Sequence, residues 1–460
     1  MNESKQLVNR CYELTYGKLP ADLIDKVKYL SLDFIGVTSR GSLSDSSQPM
    51  YAFVKEVAQS AEGACVIGCD WKAMPQYAAL ANGTASHSLE LDDVVNEASL
   101  HPAVAIFPAA FAASHIAQNS PRKFFEGVVF GYEIMIRLGK ALDPSAHYAQ
   151  GFHPTGTCGT MGAAVAAAKI LGLDENQMLN ALGIAGSQAA GSMEFLSDGT
   201  WTKRMHPGWA AHNGIIAALL AGKGYTGPSS IIEGKAGFLH AYSPKSDIGK
   251  VLSDWGQPYE IMKTSIKPHS CCRYIQAPID GILKIVRENG IKADDVEKVT
   301  LGILKTAFPI IVEPKEIKLS PRSVVDAQFS MAFGAAVATM YGKATLEEYV
   351  QDTVESPAVK AFMKKVECVE DPQLDKDFPK KWPATAAITT KDGKSYRASI
   401  EYPKGDPENP LSWDELIGKF EDLTAPVYSE RKRQEIVSRV KNLEKQDSIS
   451  GFAGLLQRDV

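Results

Sequence analysis

Leu23, Val27, Leu30 and Phe34 recur at the spacing of one helical face, and Pro20 stands before them at the tolerated first turn. The same rhythm returns after Ser120-Pro121, through Phe125, Val128, Tyr132 and Met135 toward Leu142. Residues 156–171 predict a Gly/Ala-rich helix that stops at Gly172. Asp174 then caps a further helix with Met178 and Leu182 on its buried side. Small residues dominate this half, in 162–168, Ala185-Gly186 and Ala217-Ala218. Small side chains let helices approach closely, so a compact bundle is predicted.

The pattern changes after about residue 265. Val296-Glu-Lys-Val-Thr-Leu-Gly-Ile303 alternates and is rich in β-branched residues, as a strand is. Residues 386–402 read as a β-hairpin with Asp392-Gly393 at its turn. Helices are predicted between them at about 326–340 and 346–349. The tail from Ser412 returns to helix, with Leu416 and Phe420 and then Ile436, Val440 and Leu443 on one face. No internal repeat or low-complexity tract interrupts the chain. The fold class is therefore mainly α. A large all-helical domain over 1–264 is completed by C-terminal helices over 404–460, and a smaller α+β domain spans 265–403.

A chain of 460 residues exceeds one ordinary core, in keeping with two domains. Its 45% hydrophobic and 22% charged content is that of a soluble globular protein. A net charge of -5 gives no long-range pull on nucleic acid, and no basic stripe interleaved with aromatics appears. The most apolar stretches, 103–113 and 215–221, fall short of the roughly 20 residues that span a bilayer. The polar start, Met1-Asn-Glu-Ser, lacks an apolar signal core and predicts no export. Seven cysteines, with the spacings Cys65/Cys69 and Cys271/Cys272, make no disulfide framework. A cytoplasmic protein with no nucleic-acid or membrane partner is expected.

All nine histidines fall between His87 and His269, mostly in short Gly/Pro-punctuated segments beside carboxylates and cations. Imidazoles titrate near neutrality, so this grouping points to proton transfer. In His87-Ser-Leu-Glu90-Leu-Asp92-Asp93 the spacing predicts that His87, Glu90 and Asp93 share a helical face. His101 precedes Pro102, which biases it to extended backbone at a helix mouth. The plain alternative is solvated acids and a capping histidine. Asp and His in one segment permit a metal, yet no His-Glu-x-x-His or paired Cys-x-x-Cys occurs, and a metal-free site is predicted.

Gly151-Phe-His153-Pro-Thr-Gly156 is a Gly-rich loop leading into a helix, where unpaired N–H groups suit a carboxylate or phosphate. It is neither a Walker loop nor a Rossmann fingerprint, and turn glycines are its plain reading. Lys203-Arg204-Met-His206 and Lys267-Pro-His269-Ser-Cys-Cys272-Arg273 each set cations beside an imidazole. Singly, such lysines are ordinary solvated surface. As a pair, the clusters fit recognition of a multiply anionic ligand.

These stretches resemble the MmgE/PrpD family of cofactor-independent enzymes, which includes 2-methylcitrate dehydratase, cis-aconitate decarboxylase and iminodisuccinate epimerase. The resemblance covers nearly the whole chain. It is carried by Asn82-Gly-Thr-Ala-Ser-His87 through Asp93, His101-Pro102, Gly151-Phe-His153-Pro, Thr202-Lys203-Arg-Met-His206-Pro-Gly-Trp-Ala-Ala211, Lys267-Pro268 with Cys272-Arg273-Tyr274, and Asp326-Ala-Gln-Phe-Ser330. It implies a homodimer whose subunits join a helical domain to a smaller α+β lid, with the site between them.

Carried over by position, the family's site residues fall on Glu90, His101, His153, Lys203 and Lys267. Where the family's decarboxylases carry Asp, Thr, His and Tyr, this chain has Glu90, Val94, Cys272 and Phe333, which speaks against decarboxylation of cis-aconitate. The family's 2-methylcitrate dehydratases have a longer insertion before the His-Pro pair. The resemblance further implies a small di- or tricarboxylate substrate and an anion or enolate beside a carboxylate. His101 would give or take the proton, with Glu90 or Asp93 orienting it. His153 is a second acid, and Lys203 joins His101, His153 and Asp93 in the catalytic set. Glu90, Lys267, Arg273, Cys272 and His206 would hold substrate. Dehydration is the expected reaction. Epimerisation, decarboxylation and non-catalytic polycarboxylate binding stand as alternatives.

Overall fold

The computed structural model describes residues 2–459, and the chain folds into two compact units. One holds the chain up to Ser88, Asp92–Thr264 and the segment from Ser412 on; the other holds Leu89–Leu91 with Ser265–Leu411.

The first unit is a bundle of long helices: Ala21–Gly41, Pro75–Ser86, Ala103–Ala117, Pro121–Ala141, Pro154–Ile170, Glu175–Gly186 and Thr202–Gly222. Pro20, Pro121 and Pro154 stand at or beside helix starts, where a missing N–H costs nothing. Asp174 makes a full capping box with Gln177. Pro154–Ile170 is buried along its whole length. It packs against Ala103–Ala117, Pro121–Ala141, Glu175–Gly186 and Thr202–Gly222, which its Gly/Ala composition allows.

One crossing is set by two glycines. A Cβ on Gly83 would lie 2.5 Å from the Cα of Gly208, and one on Gly208 would lie 2.3 Å from the carbonyl oxygen of Leu80. Nothing larger fits. That contact locks Pro75–Ser86 against Thr202–Gly222, the two helices that lead into His87 and carry His206. The unit is not all helix, because strand β1 (Gln59–Cys65) pairs antiparallel with β2 (Lys72–Ala73). The tail adds Trp413–Thr424, opened by a Ser412–Glu415 capping box, and Glu430–Lys441.

The second unit holds a four-stranded sheet with β3 (Val296–Ile303), β4 (Val366–Glu370), β5 (Ala384–Thr390) and β6 (Ser395–Ile400) in the order β4-β3-β5-β6. β3 runs parallel to β4 and antiparallel to β5, with Val299 opposite both Val366 and Ile388. The β5–β6 hairpin turns at Asp392-Gly393, where Gly393 has φ +83°. Ile275, Ile279, Ile282 and Leu283 of the Arg273–Asn289 helix join Val299, Leu301 and Ile388 in one core.

Three sequence expectations need correction here. The helix expected at 326–340 is broken into Val324–Gln328 and Met331–Tyr341, because the Ser330 hydroxyl caps the second piece at Phe333. Residues 346–349 form a turn, and helix begins at Gln351. The border at 403/404 moves to 411/412, since residues 404–406 are tied into the second unit. There Lys404 N–H donates to Asp280, the Gly405 carbonyl accepts from Ile266, and Asp406 pairs with Arg273. Among the described residues no helix is long and apolar enough to cross a membrane.

Candidate active site

Helix Pro75–Ser86 ends one residue before His87, and the chain from 87 to 102 is irregular. His87, Glu90 and Asp93 therefore do not share a helical face. Glu90 sits at φ +54°, a left-handed conformation that costs a non-glycine residue about 1–2 kcal/mol. The segment leaves helix so that several polar side chains can be aimed separately.

In the first unit four imidazoles gather ring against ring, two of them on one carboxylate. Asp92 Oδ2 lies 2.8 Å from His87 Nδ1 and 3.1 Å from His101 Nδ1. His101 Nδ1 is also 2.6 Å from the carbonyl oxygen of Asp93. A carbonyl can only accept, so Nδ1 carries the proton and the Nε2 lone pair of His101 is open. The His101 backbone N–H donates to Thr155 Oγ1 at 3.2 Å, which fixes the ring's base at the mouth of Ala103–Ala117.

The His87 ring stacks on that of His153 at 5.8 Å and lies 5.1 Å from that of His101. His153 Nδ1 in turn meets His206 Nδ1 at 3.0 Å. His153 immediately precedes Pro154–Ile170, and His206 lies in the second turn of Thr202–Gly222. Phe195 stands edge-on to both rings.

Burial holds His87, His153 and His206 neutral. His87 is pushed down to about 4 by burial and by Lys203, against the opposing pull of Asp92. His206 is lowered to about 4 by burial, His87 and Lys203. His153 falls well below the ordinary range through burial and then through His206, His87, Lys203 and His101. Lys203, half-buried at the start of its helix, is thus the cation whose field reaches this group.

The carboxylate that holds His101 is Asp92, not Asp93 or Glu90 as the sequence suggested. Asp93 gives its backbone carbonyl to His101, while its side chain faces the interior. That carboxyl accepts from Ala103 N–H at 3.0 Å and from the Tyr132 hydroxyl at 2.9 Å. Burial, with Asp92 and Asp33 nearby, pushes it up to about 8, so it is a capping acid kept protonated at neutral pH. Sequence reasoning gave Asp92 and His87 no role of their own. The signal was present in the adjacent pair Asp92-Asp93, of which only one member can face each way.

The other predicted residues lie in the second unit, the charged ones as ion pairs. Lys267 Nζ is 3.7 Å from Glu90 Oε2, both buried. Arg273 Nη2 is 2.6 Å from Asp406 Oδ1, which also accepts from the Ser265 hydroxyl, and the guanidinium lies over Trp382. His269 Nε2 is 2.9 Å from Asp280. Cys272 caps the Arg273–Asn289 helix, and its N–H donates to the Gln328 carbonyl. Arg273, read from sequence as a grip on substrate, is already engaged by a carboxylate of its own chain.

The wider hollows of the first unit lie elsewhere. One of about 730 Å³ is lined by Tyr51, Lys55, Cys69, Trp71 and Arg458 among others, with no imidazole. Among the described residues no three His, Cys, Asp or Glu side chains form a metal-ligand set.

A helical unit carrying a carboxylate–imidazole cluster, together with a mixed-sheet unit rich in buried ion pairs, describes an enzyme rather than a scaffold. The MmgE/PrpD N-terminal domain matches residues 5–250 and the MmgE/PrpD C-terminal domain matches residues 269–445. The chain belongs to the MmgE/PrpD family, and it is an enzyme of that lyase type. It is 28% identical to a cis-aconitate decarboxylase-like protein of Aspergillus oryzae, over 100% of this chain and 98% of the relative. It is 30% identical to the cis-aconitate decarboxylase of Aspergillus terreus, over 96% and 93%. A 2-methylcitrate dehydratase of Salmonella typhimurium is 23% identical, over 59% of this chain and 57% of its own.

Proposed function

We propose that the protein is a cofactor-independent lyase that removes a proton beside a carboxylate of a small di- or tricarboxylate and expels water. One observation carries this reading: His101 is held with Nδ1 donating to the Asp93 carbonyl, which leaves Nε2 as a base. Neutral imidazoles around it suit a reaction that begins by taking a proton. In the proposed sequence His101 Nε2 takes the proton, and Asp92 stabilises the imidazolium that forms. Lys203 stabilises the charge developing on the carboxylate, and His153 gives a proton to the departing hydroxide. The products are an unsaturated acid and water. Glu90, Lys267 and Cys272 keep the substrate-holding role that the family resemblance implies.

A second reading is decarboxylation of cis-aconitate, supported by full-length likeness to relatives of that name. It requires protonation rather than base. The two separate in one experiment, in which the purified protein is offered 2-methylcitrate, cis-aconitate and simple dicarboxylates in deuterated water and followed by NMR and CO2 release. Alkene formation from the hydroxy acid without CO2 is expected. CO2 from cis-aconitate, with the hydroxy acid untouched, would transfer the assignment to the second reading. Deuterium uptake without loss of water would make the protein an epimerase, and tight binding without change a polycarboxylate-binding protein.

A further inference from the structure

His206 lies beside the candidate acid, and its geometry separates it from a substrate ligand. Its Nδ1 faces His153 Nδ1 at 3.0 Å. A Cβ on Gly191 would come within 3.5 Å of both the His206 Nδ1 and the His153 Cβ. The backbone there is pinned, since His153 N–H donates to the Gly191 carbonyl at 2.9 Å and Phe152 bridges Ser192. The Cβ of His206 in turn lies 3.3 Å from where one on Gly156 would sit. The contact is thus enclosed by the 151–153 and 190–192 backbones and by the Phe195 ring.

Two Nδ1 atoms this close cannot both carry hydrogen, and a bond between them needs one proton. If His206 holds it, His153 Nδ1 is the acceptor and neutral His153 carries its own proton on Nε2. If His153 holds it, its Nε2 is a lone pair. The position of one shared proton therefore decides whether the outer nitrogen of His153 donates or accepts.

We propose that His206 is a positioning residue that sets the acid form of His153 through this shared proton, and does not hold the substrate. The inference deepens the elimination proposed above, in which His153 protonates the leaving hydroxide. As His153 Nε2–H passes to that oxygen, the His206 Nδ1 proton moves to His153 Nδ1, and a solvent water gives a proton to His206 Nε2; the hydroxide it leaves takes up the proton that His101 later releases. Both rings stay neutral throughout. The reverse flow, a proton in at His153 Nε2 and out at His206 Nε2, restores the starting form. No positive charge has to be placed on His153, whose protonation His87, His101 and Lys203 oppose.

The test joins kinetics to a measurement that needs no substrate. His206→Asn keeps a polar atom near the Nδ1 position but cannot relay, and kcat should fall about 10²-fold with KM little changed. In ligand-free wild-type protein with ¹⁵N-labelled histidine, a ¹⁵N–¹⁵N coupling through the hydrogen bond should join the two Nδ1 atoms. It should vanish in His206→Asn, with His153 settling into one tautomer. A raised KM at unchanged kcat would make His206 a substrate ligand and overturn the proposal, as would absence of the coupling in wild type. If no carboxylate is turned over, the elimination fails, yet the coupling still reports whether the two rings share a proton. If His206→Asn does not fold, the wild-type coupling alone decides.

Discussion

The two units treat their charged and titratable groups in opposite ways. In the first, His87, His101, His153 and His206 lie ring against ring, two of them on one carboxylate, and three of them are held neutral by burial. In the second, Lys267, Arg273 and His269 each meet a carboxylate, Glu90, Asp406 and Asp280 respectively. Neutral imidazoles can still accept or pass protons, whereas Lys267 and Arg273 each share their charge with a carboxylate of the same unit. Residue type alone does not separate the two arrangements.

The comparison breaks most sharply at His101. His101→Ala should lower kcat by roughly 10²–10⁴-fold with unfolding unchanged, if Nε2 is the base. Turnover at the wild-type rate would remove the first unit's claim to the chemistry.

Arg273→Met tests the other side. Removing one partner of a buried pair strands Asp406 and should cost about 3–5 kcal/mol of stability, read by denaturant unfolding. Unaltered stability with a raised KM would instead return Arg273 to the substrate role read from sequence.

The pH dependence of stability sharpens the contrast further. His206 is lowered to about 4 in the folded protein from 6.5, so over that interval the unfolded chain binds a proton that the folded one excludes. Stability conferred by this group is therefore present above pH 6.5 and lost as pH falls toward 4. His206→Asn removes the loss, so its stability relative to wild type should improve on acidification by on the order of 2–3 kcal/mol. Parallel melting curves from pH 7 to 4 would contradict the burial that defines the cluster.

Asp92→Asn should have the smallest effect. The Asp93 carbonyl still fixes the tautomer of His101, so kcat should drop roughly 10- to 100-fold rather than the 10⁴ seen when a triad loses its only orienting group. An unchanged kcat would reduce Asp92 to a structural partner of His87.

Much of this molecule was legible from residue order. Helix starts at Pro20, Pro121 and Asp174, the strand at 296–303 and the 392–393 hairpin turn all follow from local rules that distant contacts did not override. The break at Phe329-Ser330 was not legible, since the run 331–339 is buried on every side and so carries no phase information. The family resemblance brought His101, His153 and Lys203 forward. It passed over Asp92, because adjacent carboxylates are equivalent in a sequence and only the fold turns one to His87 and His101 and the other to Tyr132.

What the order of residues determined by itself was periodicity, capping and turn chemistry, and the choice of side chains able to move protons. These depend on neighbours within a turn or two. What only the tertiary structure decided was pairing: that Asp92 serves two imidazoles, that His206 meets His153 from 53 residues away, and that Arg273 meets Asp406 across 133. The charge state of each group depends on its desolvation and on the groups brought beside it, and both are set when the chain packs.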